Sequence, residues 1–581
     1  MTIAIIGSGF GGLCAAIKLK QAGENDFVIL EKASRVGGTW RENTYPGAAC
    51  DVQSHMYSYS FEPNPNWSRM FSKQAEILAY IESLVEKYQL RPHLRFHAEV
   101  TAAVYRDFEQ EWEVEINGHE TLVAKFVIAA MGPLHIPSIP SFEGQERFQG
   151  ETWHSATWKH DHDLTGKRVA VIGNGSSATQ FVPQIVKKAG QLTVFQRTPH
   201  WLLPKVDRKI TGLEKLAMKY IPGVHRLYRN FAYWVNESST IMFMNGKYIK
   251  PLQKVAELQL KRQVKDPELR AKLTPDFTIG CKRILIASDY YPALQRENAA
   301  LVTENITEFT EKGIRTADGR EHEFDVIIYG TGFKVTDAIT EWNITGKNGM
   351  HIGQAMAKGP EAYMGTVTHG FPNMFLIVGP NAGGGNQSIV FTIEADVRYI
   401  LGCLRLLKAT DSGSIEVRKD VQRRWNESAQ RKLAKSVWNS GGCKSWYLNE
   451  EGRNLAAWPG SSITHYLRKR KPDPKDFVLL PYELEPDEDH RGAAVITSPD
   501  GADIDVDVRL RGHMETIDGT YRWYGRVQAH PDVVALHSSG KTQVLVRVGD
   551  GEPVPARLAE QDPWGNTRIT GTGLPPYPLE D

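Results

Sequence analysis

Two short glycine-rich stretches carry the first chemistry that the sequence offers. The run "TIAIIG" leads into Gly7-x-Gly9-x-x-Gly12, and "KRVAVIG" leads into Gly173-x-Gly175-x-x-Ala178, with Ser176 directly after Gly175. In both, a short apolar run of the kind found in buried parallel strands ends at a turn, and helical spacing follows. The first glycine of such a unit permits a tight turn. The second lets backbone N–H groups approach a pyrophosphate at the helix N-terminus, and the third lets helix and strand pack closely. Glu31 lies 19 residues after Gly12, where a carboxylate accepts hydrogen bonds from a ribose 2′-hydroxyl. Arg197 lies 19 residues after Ala178 and is followed by Thr198. A guanidinium suits a 2′-phosphate, and Thr198 can add a hydrogen bond. The two turns are therefore expected to hold different dinucleotides. FAD is assigned to Gly7, Gly9, Gly12 and Glu31; NADPH is assigned to Gly173, Gly175, Ser176, Arg197 and Thr198. The doublet Gly37-Gly38 fits one more close backbone approach in the first site.

A protein holding both cofactors moves hydride from one to the other, so the fate of the reduced flavin becomes the functional question. Cys14, Cys50, Cys281, Cys403 and Cys443 are scattered, with no Cys-x-x-Cys pair. That spacing argues against a dithiol centre, against a zinc site or any other metal, and for a reducing compartment, with the cytoplasm as the expected location. Oxygen activation or electron transfer to a partner protein remain.

Further motifs narrow the choice. "FQGETWHSATW" (148–158) fits F-x-G-x-x-x-H-x-x-x-W, and Gly38, Trp40, Tyr45, Pro46, Gly47 and Asp51 fit G-x-W-x-x-x-x-[FY]-P-[GM]-x-x-x-D. On these patterns residues 1 to about 470 resemble the Baeyer–Villiger flavin monooxygenases. Lys159 stands where that family usually has Pro or Asp. The resemblance implies that Asp51 is the active-site aspartate and that Arg283 lies over the flavin. It also implies that Gly38, Trp40 and Asp51 border the flavin, that Lys282 joins Arg197 and Thr198 on the 2′-phosphate, and that His154 couples the domains.

The chemistry asks for such groups. Reduced flavin and O₂ give a C4a-peroxide, which must stay anionic and dry to attack a ketone carbonyl. A fixed guanidinium stabilises that anion in a water-poor site, and arginine stays protonated at any useful pH. The expected reaction makes an ester or lactone from a small-molecule ketone, O₂ and NADPH. An oxygenase acting on amines or thioethers, or a flavin electron carrier, is the alternative.

These motifs need scaffolding. Lys+Arg 69 against Asp+Glu 68 in 581 residues is a balanced surface, which gives nucleic acid no basic face to bind. No apolar run approaches the ~20 residues of a membrane span. A homo-oligomer is left open. The fold expected is α/β, with two Rossmann-like dinucleotide domains, one inserted in the other: FAD over 1–144 and 335–470, NADPH over 145–334. A helical insertion over 206–275 carries Tyr228, Phe231, Tyr233 and Trp234, read either as the lining of a substrate passage or as an ordinary amphipathic stripe. The stretch 438–462, rich in glycine and tryptophan, is expected near the active site. "LRKRKPDPKDF" (467–477) reads as a linker. Residues 482–581 change to period-two alternation with tight turns, so a small all-β barrel or sandwich is expected there, without a catalytic cluster.

Overall fold

The computed structural model describes residues 2–107, 109–335, 337–384, 387–481, 490–514, 520–561 and 566–578. The run Ile3–Ile6 is buried at every position, as a strand covered on both faces must be. It centres a parallel sheet in the order Met374–Leu376, Phe126–Ala129, Ile3–Ile6, Phe27–Leu30, Leu94–Arg95. A second parallel sheet runs Ala299–Val302, Gln191–Phe195, Arg168–Ile172, Val326–Tyr329, Glu151–His154. Each sheet is a glycine-turn unit, and each has its own apolar core.

The chain leaves the first sheet, builds the second, and returns. Met374–Leu376 adds to the first sheet, and the helix Ile389–Ala409 then packs on the helix Phe10–Gln21. The return is anchored by an ion pair between Lys469 and Asp396, both fully buried. Asp396 Oδ2 also accepts the Val378 N–H at 2.8 Å. Val378 has φ +59°, a left-handed conformation that a β-branched residue adopts only when its surroundings impose it. It lies on the wall of the nucleotide cleft.

The reading of 467–477 as a linker is corrected by this arrangement. Ser462–Arg468 is helical, Lys469 is buried, and Phe477–Pro481 pairs with Ser412–Val417. Basic residues and prolines look like solvated linker in sequence, but a buried carboxylate gives Lys469 a partner.

Residues 206–275 are helical as expected, with helices Gly212–Tyr220, Val224–Ser238, Thr240–Met244, Lys250–Gln263 and Pro267–Lys272. Phe231 and Trp234 point to solvent, so they line no passage. The C-terminal unit is a closed six-stranded barrel with the helix Pro531–Ser538. Trp523 fills its core, and a Cβ on Gly571 of the adjoining strand would lie 2.2 Å from the indole.

Candidate active site

Both glycine turns open into one cleft of about 1300 Å³ between the two sheets. They are built alike. Gly7 (φ +100°) sits where a Cβ would lie 2.7 Å from the Ala130 carbonyl oxygen; Gly173 (φ +104°) stands 2.5 Å from that of Gly330 in the same test. Gly9 and Gly175 begin the helices Phe10–Gln21 and Ser176–Ile185, and no side chain caps either helix. Their first N–H groups therefore lack partners at a cleft wall, where an anionic phosphate would supply them. At Gly12 a Cβ would fall 1.9 Å from the Gly7 carbonyl oxygen, which forces glycine; Ala178 at the matching place has room for its methyl.

Glu31 ends the second strand and is 4% exposed. Its Oε2 accepts from the Ser8 N–H at 3.1 Å and the Ser8 hydroxyl at 2.6 Å; its Oε1 accepts from Ala33 N–H at 3.0 Å and faces Arg41 at 3.0 Å. Burial opposes its charge, but these partners outweigh burial and hold the carboxyl below its usual range. Gly38 (φ +50°) faces Gly9 across the cleft floor, its Cβ position 3.2 Å from the Gly9 Cα. Trp40 is buried and donates its indole N–H to the Tyr57 hydroxyl at 3.1 Å.

At the second turn, Lys282 Nζ donates to Thr198 Oγ1 at 2.8 Å. Burial, and then the Arg197 charge, lower the Lys282 pKa. Asp276 partly offsets the Lys282 charge, and the two cations with the Thr198 hydroxyl form a site for an anion such as a 2′-phosphate.

Arg283 and Asp51, 232 positions apart in sequence, meet in the same cleft. Asp51 Oδ2 accepts from Arg283 Nη2 at 2.6 Å and from Nε at 3.1 Å. Asp51 drives the Arg283 pKa upward against burial. Burial penalises the Asp51 charge, yet Arg283 outweighs it and the carboxyl stays below its usual value. The Arg283 side chain keeps 43% of its surface open, and Asp51 keeps 21%. That surface opens onto the cleft, so a molecule bound there meets a permanent positive charge held in a fixed direction.

Residues 4–214 match the profile of the pyridine nucleotide-disulphide oxidoreductases, and residues 487–579 match a domain of unknown function (DUF4873). A Baeyer-Villiger monooxygenase of Pseudomonas aeruginosa is 48% identical over 460 residues, covering 79% of this chain and 87% of that protein. One from Streptomyces coelicolor is 42% identical over 511 residues, covering 87% and 97%. The chain belongs to the Baeyer–Villiger monooxygenase family. Solved relatives share its shape: closed cyclohexanone monooxygenase has a TM-score of 0.74 at 28% identity, covering 82% of this chain and 99% of that one. Oxidised steroid monooxygenase with bound NADP has 0.73 at 30%, covering 83% and 100%. As a Baeyer–Villiger monooxygenase the chain is an FAD-dependent, NADPH-using enzyme.

His154 is buried in this monooxygenase; burial lowers its pKa, and its Nδ1 accepts the Ala156 N–H at 3.1 Å. Its ring meets Phe333 on the segment that leads back toward the first sheet. Lys159 pairs at the surface with Glu151, away from the cleft. Trp158 packs on Trp153 and Phe181.

The segment 438–462 supplies cleft wall through Lys444, Ser445, Trp446 and Tyr447. Spacing alone does not reveal that Cys281 and Cys443, 162 residues apart, form a disulfide. This bears against the reading of the scattered cysteines as a sign of a reducing compartment. Cys281 directly precedes Lys282 and Arg283, so the bridge ties the segment carrying Trp446 and Tyr447 to the segment carrying the two cations. Cys443→Ser should raise the ketone KM about tenfold, with a smaller rise in the NADPH KM, because the bridge holds the substrate wall to the segment that carries Lys282. Steady-state kinetics with each substrate varied in turn checks this.

Proposed function

We propose that Arg283 and Asp51 carry the oxygen-transfer step on a ketone, with FAD on the first glycine turn and NADPH on the second. The overall balance is ketone, O₂, NADPH and a proton going to ester or lactone, NADP⁺ and water. The bound flavin supplies the redox chemistry that activates O₂. The observation carrying the reading is the Arg283–Asp51 pair at 2.6 Å inside the cleft that both turns share.

Asp51 orients the guanidinium and keeps it charged. Arg283 presents its other N–H groups to the negative charge that develops on oxygen at the reacting carbonyl, which is worth far more in a water-poor site than in bulk water. Trp446 and Tyr447 line the same cleft as the pair. Lys282, Arg197 and Thr198 hold the 2′-phosphate, while Glu31 takes the ribose at the first turn. Gly38 and Trp40 border the first nucleotide. The cytoplasm is the proposed site of action, with the Cys281–Cys443 bridge the one feature that counts toward an oxidising compartment; among the described residues, no helix is long and apolar enough to cross a membrane. Incubating the purified enzyme with NADPH, O₂ and a panel of ketones, and identifying products by mass spectrometry, tests the reading. Esters should form at the expense of NADPH, and NADPH consumption with no oxygenated product contradicts it.

A further inference from the structure

The helical insertion wears its apolar side outward. On the helix Val224–Ser238, Leu227, Phe231 and Trp234 follow i, i+4, i+7 spacing and form one face, which is 71%, 67% and 57% exposed in that order. The opposite face is the inward one, with Ala232 and Glu237 buried and Tyr228, Arg229 and Tyr233 half-buried. There Arg229 donates to the carbonyl oxygens of His55 at 2.7 Å and Ser58 at 2.8 Å. Glu237 accepts from Ser462 and from Gln387. Rotating the helix to hide its apolar face would strand these inward polar groups, so the outward orientation is fixed. The neighbouring helix Gly212–Tyr220 packs on it and repeats the pattern: Leu213, Leu216 and Tyr220 are all exposed. Large apolar side chains exposed on two packed helices mark a candidate interaction site.

The charge around it selects the partner. Residues 206–275 contain fourteen Lys or Arg and six Asp or Glu, whereas the whole chain is balanced at 69 against 68. Lys219, Arg226, Lys247 and Lys250 are exposed within this region. Two copies of the surface brought face to face would set these cations against each other. An anionic lipid surface complements them, and apolar helix faces flanked by Lys and Arg are the pattern of helices that lie in a membrane interface. No described helix can span the bilayer, so contact would be at the surface.

We propose that the helices Gly212–Tyr220 and Val224–Ser238 dock this enzyme on an anionic lipid bilayer, with Leu213, Leu216, Leu227, Phe231 and Trp234 immersed.

The test is vesicle flotation of the full-length holoenzyme. One set of vesicles is pure phosphatidylcholine; the other contains about one-third phosphatidylglycerol. The wild type should float with the anionic vesicles, less so in high salt, and only weakly with the neutral ones. The double variant Phe231→Glu/Trp234→Glu should lose vesicle partitioning about tenfold or more, with visible flavin circular dichroism unchanged as proof of an intact fold. Should that variant fail to fold, Leu213→Glu/Leu216→Glu on the neighbouring helix gives the same reading. Lack of flotation with either vesicle, or equal flotation of wild type and folded variants, overturns the proposal. A dimer in sedimentation velocity that the variants dissociate, without vesicle binding, overturns it too and assigns the face to self-association. Flotation needs no ketone turnover, so its outcome is independent of the assigned reaction.

Discussion

Arg283→Ala should lower ester formation about 10²- to 10³-fold, the usual effect of removing one pre-placed stabiliser of developing negative charge. NADPH oxidation should persist, because the cations at the second turn remain. The expected signature is therefore uncoupling: NADPH and O₂ are consumed and hydrogen peroxide is released with little product. Arg283→Lys keeps the charge but loses the fork that places two N–H groups on Asp51 Oδ2, so it should restore only part of the coupling. Product per NADPH, measured by chromatography beside NADPH absorbance, separates these outcomes. Equal loss of NADPH oxidation and ester formation would show that Arg283 acts in cofactor reduction instead.

The second large effect is expected at the other turn. Hydrogen bonds to charged groups are worth about 1.5–3 kcal/mol each, so Arg197→Ala and Lys282→Ala should each raise the NADPH KM about tenfold to a hundredfold. KM for NADH, which lacks the 2′-phosphate, should barely move, and the double variant should lose most preference between the two. Lys282 adds a pH dependence. In the ligand-free protein, burial and Arg197 lower its pKa, whereas a bound phosphate favours the charged form. The bound state then holds the proton more tightly than the free state. Near and above the lowered pKa, binding takes up a proton, and NADPH affinity should be full below that pKa and fall as pH rises through it. Titration calorimetry of NADP⁺ in buffers of different ionisation enthalpy reads that proton directly. An affinity that rises with pH would contradict the assignment.

The nucleotide turns were legible because their requirements are local. Gly7, Gly12 and Gly173 are demanded by backbone that passes within 3 Å of where a Cβ would sit, and the acid or base follows at a fixed distance along one strand–helix–strand unit. The change to period two near residue 482 announced a barrel or sandwich for the same reason, and the strands close into a barrel. What sequence could not yield is long-range. The meeting of Asp51 with Arg283 came from family resemblance, since spacing alone says nothing across 232 positions. The Cys281–Cys443 bridge had no local signal at all. Amphipathic spacing in Val224–Ser238 identified two faces but not which one turns inward, and here Arg229 and Glu237 go in while Phe231 and Trp234 go out. Lys469 misled similarly, because charge reads as exposure until its buried partner Asp396 is seen.

The most direct measurement uses isotopically labelled dioxygen with the wild-type enzyme, NADPH and a ketone that it turns over. The expected result is an ester or lactone carrying one labelled oxygen atom per NADPH consumed, with both label and coupling lost in Arg283→Ala. Product without label, or labelled product undiminished in Arg283→Ala, would contradict the role assigned to the Arg283–Asp51 pair.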